Sequence, residues 1–134
     1  MPLPVPCPTG EKTIDAHHKQ LAKLIDGAVE SISTGKVDFA DVEILITDIE
    51  DFAQKHFDYE EEVIARKCPA SISSINKTGH AYFRARIVAL RAMQSFFPAM
   101  STYASALTLL RNWFYGHVCD VDCRLREFIG KGGQ

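Results

Sequence analysis

Histidine and glutamate stand on an apolar helical stripe at positions where aliphatic residues would be expected. In the segment "HFDYEEEV", His56 and Glu60 are four residues apart, so they lie on the same face of a helix. Val42, Ile49 and Val63 continue that face. A buried carboxylate requires a cation or a hydrogen-bonded partner. The pair therefore predicts that a positive charge, such as a metal ion, meets this face.

Three other segments also offer metal-binding side chains: His17 and His18, Asn76 and His80, and His117 with Asp120 or Asp122. One histidine on an apolar stripe is usually a hydrogen-bonded core residue, but four such stripes argue for a shared site. Imidazoles with carboxylates suit iron or manganese, and zinc less specifically. The Glu-x-x-His spacing of ferritin-like proteins and the HExxH zinc motif are both absent.

Helical periodicity defines four segments that position these residues. Asp38 is predicted to cap the second helix, and the proline of "KCPAS" to end it. No strand-like alternation and no repeat is present in the sequence. The pattern predicts an all-α, antiparallel, up-down-up-down four-helix bundle. In that topology the metal-binding residues of all four helices fall in one layer.

Length and composition indicate one globular domain. The chain has 134 residues. Its pattern predicts an extended N-terminal arm over 1–12, a bundle over 13–129 and a Gly-rich tail or linker over 130–134. The net charge of −2 gives no reason to expect nucleic acid as a partner. The apolar runs are too short to span a membrane. The Pro-rich start lacks the features of a signal peptide.

The cysteines are expected to be free thiols. Four are present, at Cys7, Cys68, Cys119 and Cys123, and none form a CxxC pair. Without a secretion signal, reduced cysteines and a cytoplasmic location are the expectation. Cys119 and Cys123 flank the predicted site. They are expected to be small core residues, and a role in redox chemistry or zinc binding is the alternative.

Four segments resemble, in order and spacing, the motifs of the hemerythrin family, specifically the bacteriohemerythrins: "IDAHHKQL", "HFDYEEE", "HAYF" and "WFYGHVCDVD". The resemblance runs from Ile14 to Phe128. It implies a hemerythrin-like four-helix bundle with two non-haem iron ions joined by an oxo or hydroxo bridge. It also implies dioxygen, or a similar small molecule, as the ligand.

Carried over to the matching positions, the resemblance implies six metal ligands: His18, His56, Glu60, His80, His117 and Asp122. The two carboxylates would bridge the irons. Five residues advance about 140° around an ideal helix, so spacing from His117 alone favours Asp120. The motif favours Asp122, and a local distortion such as a π-bulge would bring it round.

Asn76 departs from the family pattern, which has histidine there. One iron would then keep only His80 and His117 as imidazole ligands. Asn76 could ligate weakly through its side-chain oxygen or hold a water. His17 stands where the family usually has glutamine. It points about 100° away from His18 and is expected on the surface or behind the ligands.

Aromatic residues near the ligands are expected either to line an apolar ligand pocket or to pack the core: Phe57, Phe83, Trp113 and Phe114. An apolar pocket would keep water from bound dioxygen. Outside it, Tyr59 and Glu61 are expected to face outward or pack at the helix boundary. A third group, Arg84, Arg86 and Arg91, is expected to form a solvated basic face, with a contact to a partner or another domain as the alternative.

Three functions remain open from the sequence. The missing imidazole favours an oxygen or redox sensor that regulates a fused or partner output domain. A stand-alone oxygen carrier is the alternative, and a di-iron peroxidase or ferroxidase a third. The resemblance makes a diguanylate cyclase or chemotaxis receptor the expected kind of output. The domain itself is not expected to be an enzyme. A structural zinc site is the plainest alternative.

Overall fold

The computed structural model shows a bundle of four long helices. It describes residues 7–96 and 99–128. The helices are α1 Lys12–Ser33, α2 Phe39–Lys67, α3 Ala70–Phe96 and α4 Met100–Asp120. α1 packs on α2 and α4, and α3 packs on those same two helices. Within the described ranges there is no strand and no helix long and apolar enough to cross a membrane.

Local signals set the ends of α2 as the sequence predicts. The Asp38 carboxylate accepts a hydrogen bond from the backbone N–H of Asp41 at 2.9 Å, and the Asp41 carboxylate accepts one from the N–H of Asp38 at 3.1 Å. These paired bonds satisfy N–H groups that the first helical turn leaves free. α2 ends at Lys67, two residues before Pro69.

The end of the fourth helical segment differs from the prediction. The apolar periodicity of the fourth segment continues to Phe128 and predicts one helix up to that residue, but α4 ends at Asp120 and a 3₁₀ helix covers Asp122–Glu127. A 3₁₀ helix turns in three residues instead of 3.6. The distortion that brings Asp122 toward the bundle is therefore the end of the α-helix, and not a π-bulge.

Two apolar clusters lie at different levels of the bundle. The larger contains most of the core, including Leu21, Ile49, Phe83 and Leu107. The smaller consists of buried residues from α1, α2 and the 3₁₀ helix: Ile14, Val63, Ile64 and Leu125. On α1, His18 falls between Ile14 of the small cluster and Leu21 of the large one. On α2, Glu60 falls between Phe57 and Val63, so apolar side chains flank these two predicted ligands on both sides.

The N-terminal arm is attached to the bundle at two places. The backbone N–H and the hydroxyl of Thr9 both donate to Asp15 Oδ1 at 2.7 Å. Cys7 forms a disulfide with Cys119 of α4, with the two Cα atoms 5.2 Å apart. The expectation of free thiols is therefore wrong for these two cysteines. Nothing local in the sequence pairs residues 112 positions apart.

Some predictions concern parts of the chain outside the described residues. Residues 1–6 of the predicted arm, residue 129 and the predicted tail over 130–134 are among them, and so are the side chains of Asp120 and Cys123. Cys68, at the α2–α3 turn, is described and is a partly buried free thiol.

Candidate metal centre

The six predicted ligands gather in one buried layer between the helices. Their relative exposure ranges from 0% for Glu60 to 9% for His117. The contributions come from α1, α2, α3, α4 and the start of the 3₁₀ helix: His18, His56 with Glu60, His80, His117 and Asp122. Residues that are far apart in the sequence therefore share one enclosed space.

Glu60 lies at the centre of this layer. Its Oε2 atom is 3.1 Å from His18 Nε2 and 3.0 Å from His56 Nε2. Its Oε1 atom is 3.0 Å from His80 Nε2. The spacing of four residues within α2 places His56 beside it. One carboxylate thus faces three imidazoles from three helices.

Asp122 faces the same space from the start of the 3₁₀ helix. Its Oδ2 atom is 3.2 Å from His18 Nε2, and its Oδ1 atom is 3.2 Å from His117 Nε2. Both carboxylates therefore present one oxygen to each of two groups of imidazoles. One group is His18 with His56, and the other is His80 with His117. Carboxylates placed in this way can bridge two cations.

Asn76 joins the group that contains His80 and His117. It is fully buried, and its Nδ2 donates to Glu60 Oε1 at 2.6 Å and to Asp122 Oδ1 at 3.1 Å. Its Oδ1 atom has no hydrogen-bond partner among the described residues. The amide therefore links the two carboxylates on one side of the layer and keeps an unused oxygen.

Charges in the layer compensate one another. Burial alone raises the pKa of Glu60, but the imidazoles around it, led by His56, hold that pKa well below its usual value. Burial disfavours the protonated form of His18, yet hydrogen bonds to Asp122 and Glu60 raise its pKa to about 9. Without metal, the proton on His18 offsets part of the negative charge of the carboxylates.

The side chains of the layer can bind metal, and the family to which the chain belongs is a cation-binding one. His18, His56 and Glu60 offer donor atoms within 4.8 Å of one another, close enough to hold a metal ion. The family model of the hemerythrin HHE cation-binding domain matches residues 9–125. The chain belongs to the hemerythrin family. Comparisons with curated proteins and with solved structures found no match.

Two residues of this hemerythrin domain support the imidazoles from behind. Glu61 was expected to face outward or to pack at the helix boundary, and in the structure its Oε2 atom lies 2.7 Å from His80 Nδ1. His17 Nδ1 lies 3.2 Å from His56 Nδ1, so His17 stands behind a neighbouring ligand and away from the layer itself. In contrast, Tyr59 donates its hydroxyl to Glu11 Oε1 at 3.1 Å.

The expected solvated basic face on α3 is largely paired with α2. Arg91 forms ion pairs with Glu43 and Glu50. Arg84 donates to Gln54 at 3.0 Å and lies 3.6 Å from Glu61. Arg84 is exposed, as predicted, whereas Arg91 is only partly exposed because acidic side chains on α2 lie opposite it, which α3's own periodicity could not reveal.

Aromatic rings of the hemerythrin domain pack directly on its imidazoles. Phe57 stacks on His80 with ring centroids 3.9 Å apart, and Trp113 stacks on His117 at 4.9 Å. Phe114 meets His18 edge-on at 5.9 Å, and Phe83 contacts Phe57 at 5.4 Å. Trp113 and His117 also line a surface depression of about 310 Å³. These rings hold the imidazoles in place.

Gly79 is a site residue that the spacing argument missed. A Cβ atom built on it would lie 2.3 Å from His117 Cε1 and 2.8 Å from His117 Nδ1. Only a hydrogen atom therefore leaves room for the His117 ring beside α3. The sequence carries a signal for this, since glycine is unfavourable within a helix unless close packing requires it.

Proposed function

We propose that this hemerythrin domain holds two bridged iron ions, binds dioxygen or a similar small molecule, and acts as an oxygen or redox sensor. The observation that carries the proposal is the division of carboxylate oxygens between two groups of imidazoles. One ion would be held by His18 and His56, and the other by His80 and His117. Glu60 and Asp122 would each give one oxygen to either ion.

The donor atoms are arranged better for binding cations than for hydrogen bonding to one another. His117 Nε2 lies 3.2 Å from Asp122 Oδ1 yet lacks hydrogen-bond geometry, as expected of a lone pair that points at a metal. Rotation of the Asn76 amide would bring its unused oxygen beside two carboxylate oxygens. That arrangement is favourable only with a cation between them. Asn76 is therefore an additional oxygen donor in the proposal.

Iron would supply the electrons for binding a small ligand, and the protein supplies the enclosure. Phe57, Phe114 and Trp113 cover the imidazoles with apolar rings, which limits water near the bound molecule. The domain is thus proposed as a binding and sensing module and not as an enzyme.

Asn76 favours a sensor over a carrier. Each ion would have only two imidazoles, and an amide oxygen is a weaker donor than imidazole, so each would keep an exchangeable position. A bound ligand would then be short-lived and the iron would oxidise in air. We expect Asn76→His to slow oxidation of the reduced protein in air, followed by absorption. An unchanged rate would remove the argument for sensing.

Metal analysis tests the proposed site directly. We expect about two iron ions per chain after anaerobic loading, and an absorption spectrum that changes on exposure to air. Glu60→Gln should lose both ions, because Glu60 touches both groups of imidazoles. Glu62→Gln is the matched control, since Glu62 is an exposed acid two residues away. Zinc in place of iron, or no metal, would overturn the proposal.

The same preparation separates the competing functions. One-way oxidation in air favours the sensor, whereas reversible loss of colour on degassing favours the carrier. Rapid turnover of peroxide favours an enzyme. These outcomes are mutually distinguishable in one spectrophotometer experiment with the same reduced sample.

An output domain, such as a diguanylate cyclase or chemotaxis receptor, is proposed on the C-terminal side. Asp122 begins the 3₁₀ helix Asp122–Glu127, so a change at the metals reaches this segment through one covalent chain. Fusing a diguanylate cyclase domain to the C-terminal end of the chain and measuring its activity in the reduced and oxidised states tests this part. Equal output in both states would contradict it.

The cytoplasmic location stays a prediction, and the Cys7–Cys119 disulfide counts against it. Disulfides are rare in reducing compartments. Trapping thiols with an alkylating reagent in intact cells, followed by mass analysis, shows whether Cys7 and Cys119 are reduced. Two alkylated cysteines support the cytoplasm, and an intact disulfide supports an oxidising compartment.

A further inference from the structure

His80 is held between two carboxylates, one on each ring nitrogen. Its Nε2 atom faces Glu60 Oε1 at 3.0 Å, and its Nδ1 atom faces Glu61 Oε2 at 2.7 Å. His80 is 1% exposed, while the Glu61 side chain is 24% exposed. When Nδ1 carries the proton and donates to Glu61, the lone pair of Nε2 is free to face the metal layer.

The other imidazoles have different partners behind them. His56 Nδ1 meets the imidazole of His17 at 3.2 Å, and not a carboxylate. His18 Nδ1 has no hydrogen-bond partner among the described residues. A direct contact with an outer carboxylate is thus seen at His80 and not at these two. The two sides of the layer are unequal in this respect.

Glu61 acts on the same side of the layer as Asn76. Glu60 Oε1 is the oxygen that meets both His80 Nε2 and Asn76 Nδ2. A carboxylate that accepts the N–H of an imidazole makes the other ring nitrogen a stronger donor and fixes its orientation. The weaker amide donor and the strengthened imidazole would therefore share one ion.

Neighbouring side chains restrain the orientation of Glu61 and His80. Phe57 stacks on the His80 ring with planes 17° apart, which restricts its rotation. Arg84 Nη2 lies 3.6 Å from Glu61 Oε2 on the solvent side. Because an ion pair with an exposed arginine is weak, it steadies the carboxylate without neutralising its effect on His80.

We propose that Glu61 is a positioning residue that strengthens His80 as a donor and so compensates for Asn76 on that side of the metal layer. This inference rests on the proposed two-ion site. It predicts two things that a purely structural role does not. The affinity for one ion of the two depends on the charge of Glu61, and a histidine at position 76 makes that dependence smaller.

The test compares Glu61→Gln, Glu61→Ala and the control Glu62→Gln with the unchanged chain. Removing an outer-layer partner typically lowers metal affinity by about 10–100-fold. We expect Glu61→Ala to show this loss for one ion only, measured by competition with a chelator. Glu61→Gln keeps an oxygen acceptor but not the charge, so its loss should be smaller. Both variants should raise the midpoint reduction potential, because a weaker donor favours ferrous iron.

The decisive comparison adds Asn76→His to each variant. With imidazole at position 76, Glu61→Ala should cost less affinity than it does with asparagine. An equal loss in both backgrounds overturns compensation, as does a Glu61→Ala variant with unchanged affinity and potential. If the unchanged chain binds no metal, the proposed two-ion site fails instead. Helical content by circular dichroism identifies a variant that fails to fold, and Glu61→Gln then carries the test.

Discussion

Glu60 and His18 form a buried pair whose charge is balanced by either protons or metal ions. The pKa of Glu60 lies well below its usual range because imidazoles surround it despite its burial. The pKa of His18 is raised to about 9 by hydrogen bonds that outweigh burial. A metal ion must displace the proton of His18, so metal affinity should increase with pH.

The raised pKa of His18 makes the metal-free protein less stable at high pH. Its folded-state pKa, about 9, exceeds its ordinary value of 6.5, so the folded state holds the proton more tightly. This stabilisation is full below pH 6.5 and is lost as pH rises through 9. The change is on the order of 3 kcal/mol. Urea unfolding in EDTA at pH 6 and at pH 9.5 measures it.

The control for this prediction is His18→Asn, which should remove most of the decline in the urea midpoint. A decline of the same size in that variant would assign the effect to another group. A midpoint that does not change between the two pH values in the unchanged protein would contradict the raised pKa of His18.

Gly79→Ala should displace the His117 ring. The added Cβ would lie 2.3 Å from His117 Cε1, and Trp113 stacks on that ring. We expect affinity for one of the two proposed ions to fall by about 10–100-fold, as when a ligand loses its support. Chelator competition measures this. Gly27→Ala is the control, because its Cβ would meet nothing within 4 Å, and its metal affinity should not change.

At the scale of helices, the apolar periodicity and the residues that begin and end helices were sufficient to predict much of the fold. Asp38 and Pro69 mark the ends of α2 in the sequence as they do in the structure. The spacing of His56 and Glu60 predicts that they share one helix face. These features are local, because each depends on residues within a few turns of the same helix.

Features that depend on contacts between elements were not predictable in this way. The 3₁₀ helix that presents Asp122 forms where α4 ends against the rest of the bundle. Glu61 contacts His80, 19 residues away, and Gly79 makes room for a side chain of α4. In each case the deciding neighbour comes from a different element, so the pattern of a single helix does not identify that neighbour.

The disulfide between Cys7 and Cys119 should stabilise the connection of the arm to α4. It closes a loop of 112 residues, and a cross-link of this kind typically contributes about 2–4 kcal/mol by restricting the unfolded chain. We expect Cys7→Ser to lose a comparable amount in urea unfolding without reductant. Cys68→Ser is the control, because Cys68 is a free thiol. Equal midpoints for the two variants would show that the disulfide contributes little.

At the scale of the whole molecule, the metal layer separates a large core from a small one. The small cluster of Ile14, Val63, Ile64 and Leu125 buries little apolar surface, so it contributes little free energy on its own. The end of the bundle that contains it therefore depends on the carboxylates and imidazoles beneath it. Cations in that layer should hold the two clusters together.

Removing metal should loosen that end of the bundle before it affects the other. An ion at 100 times its dissociation constant stabilises the fold by about 2.7 kcal/mol. In EDTA we expect faster amide hydrogen exchange at the C-terminal end of α2 and in the 3₁₀ helix. The part of α1 that contains Ile25 and Ile32, within the large cluster, should change little. Exchange detected by mass spectrometry with and without metal measures both regions. Glu60→Gln, which lacks the carboxylate proposed to bridge the ions, should show no difference on adding metal. A uniform change along the unchanged chain would exclude this division of stability.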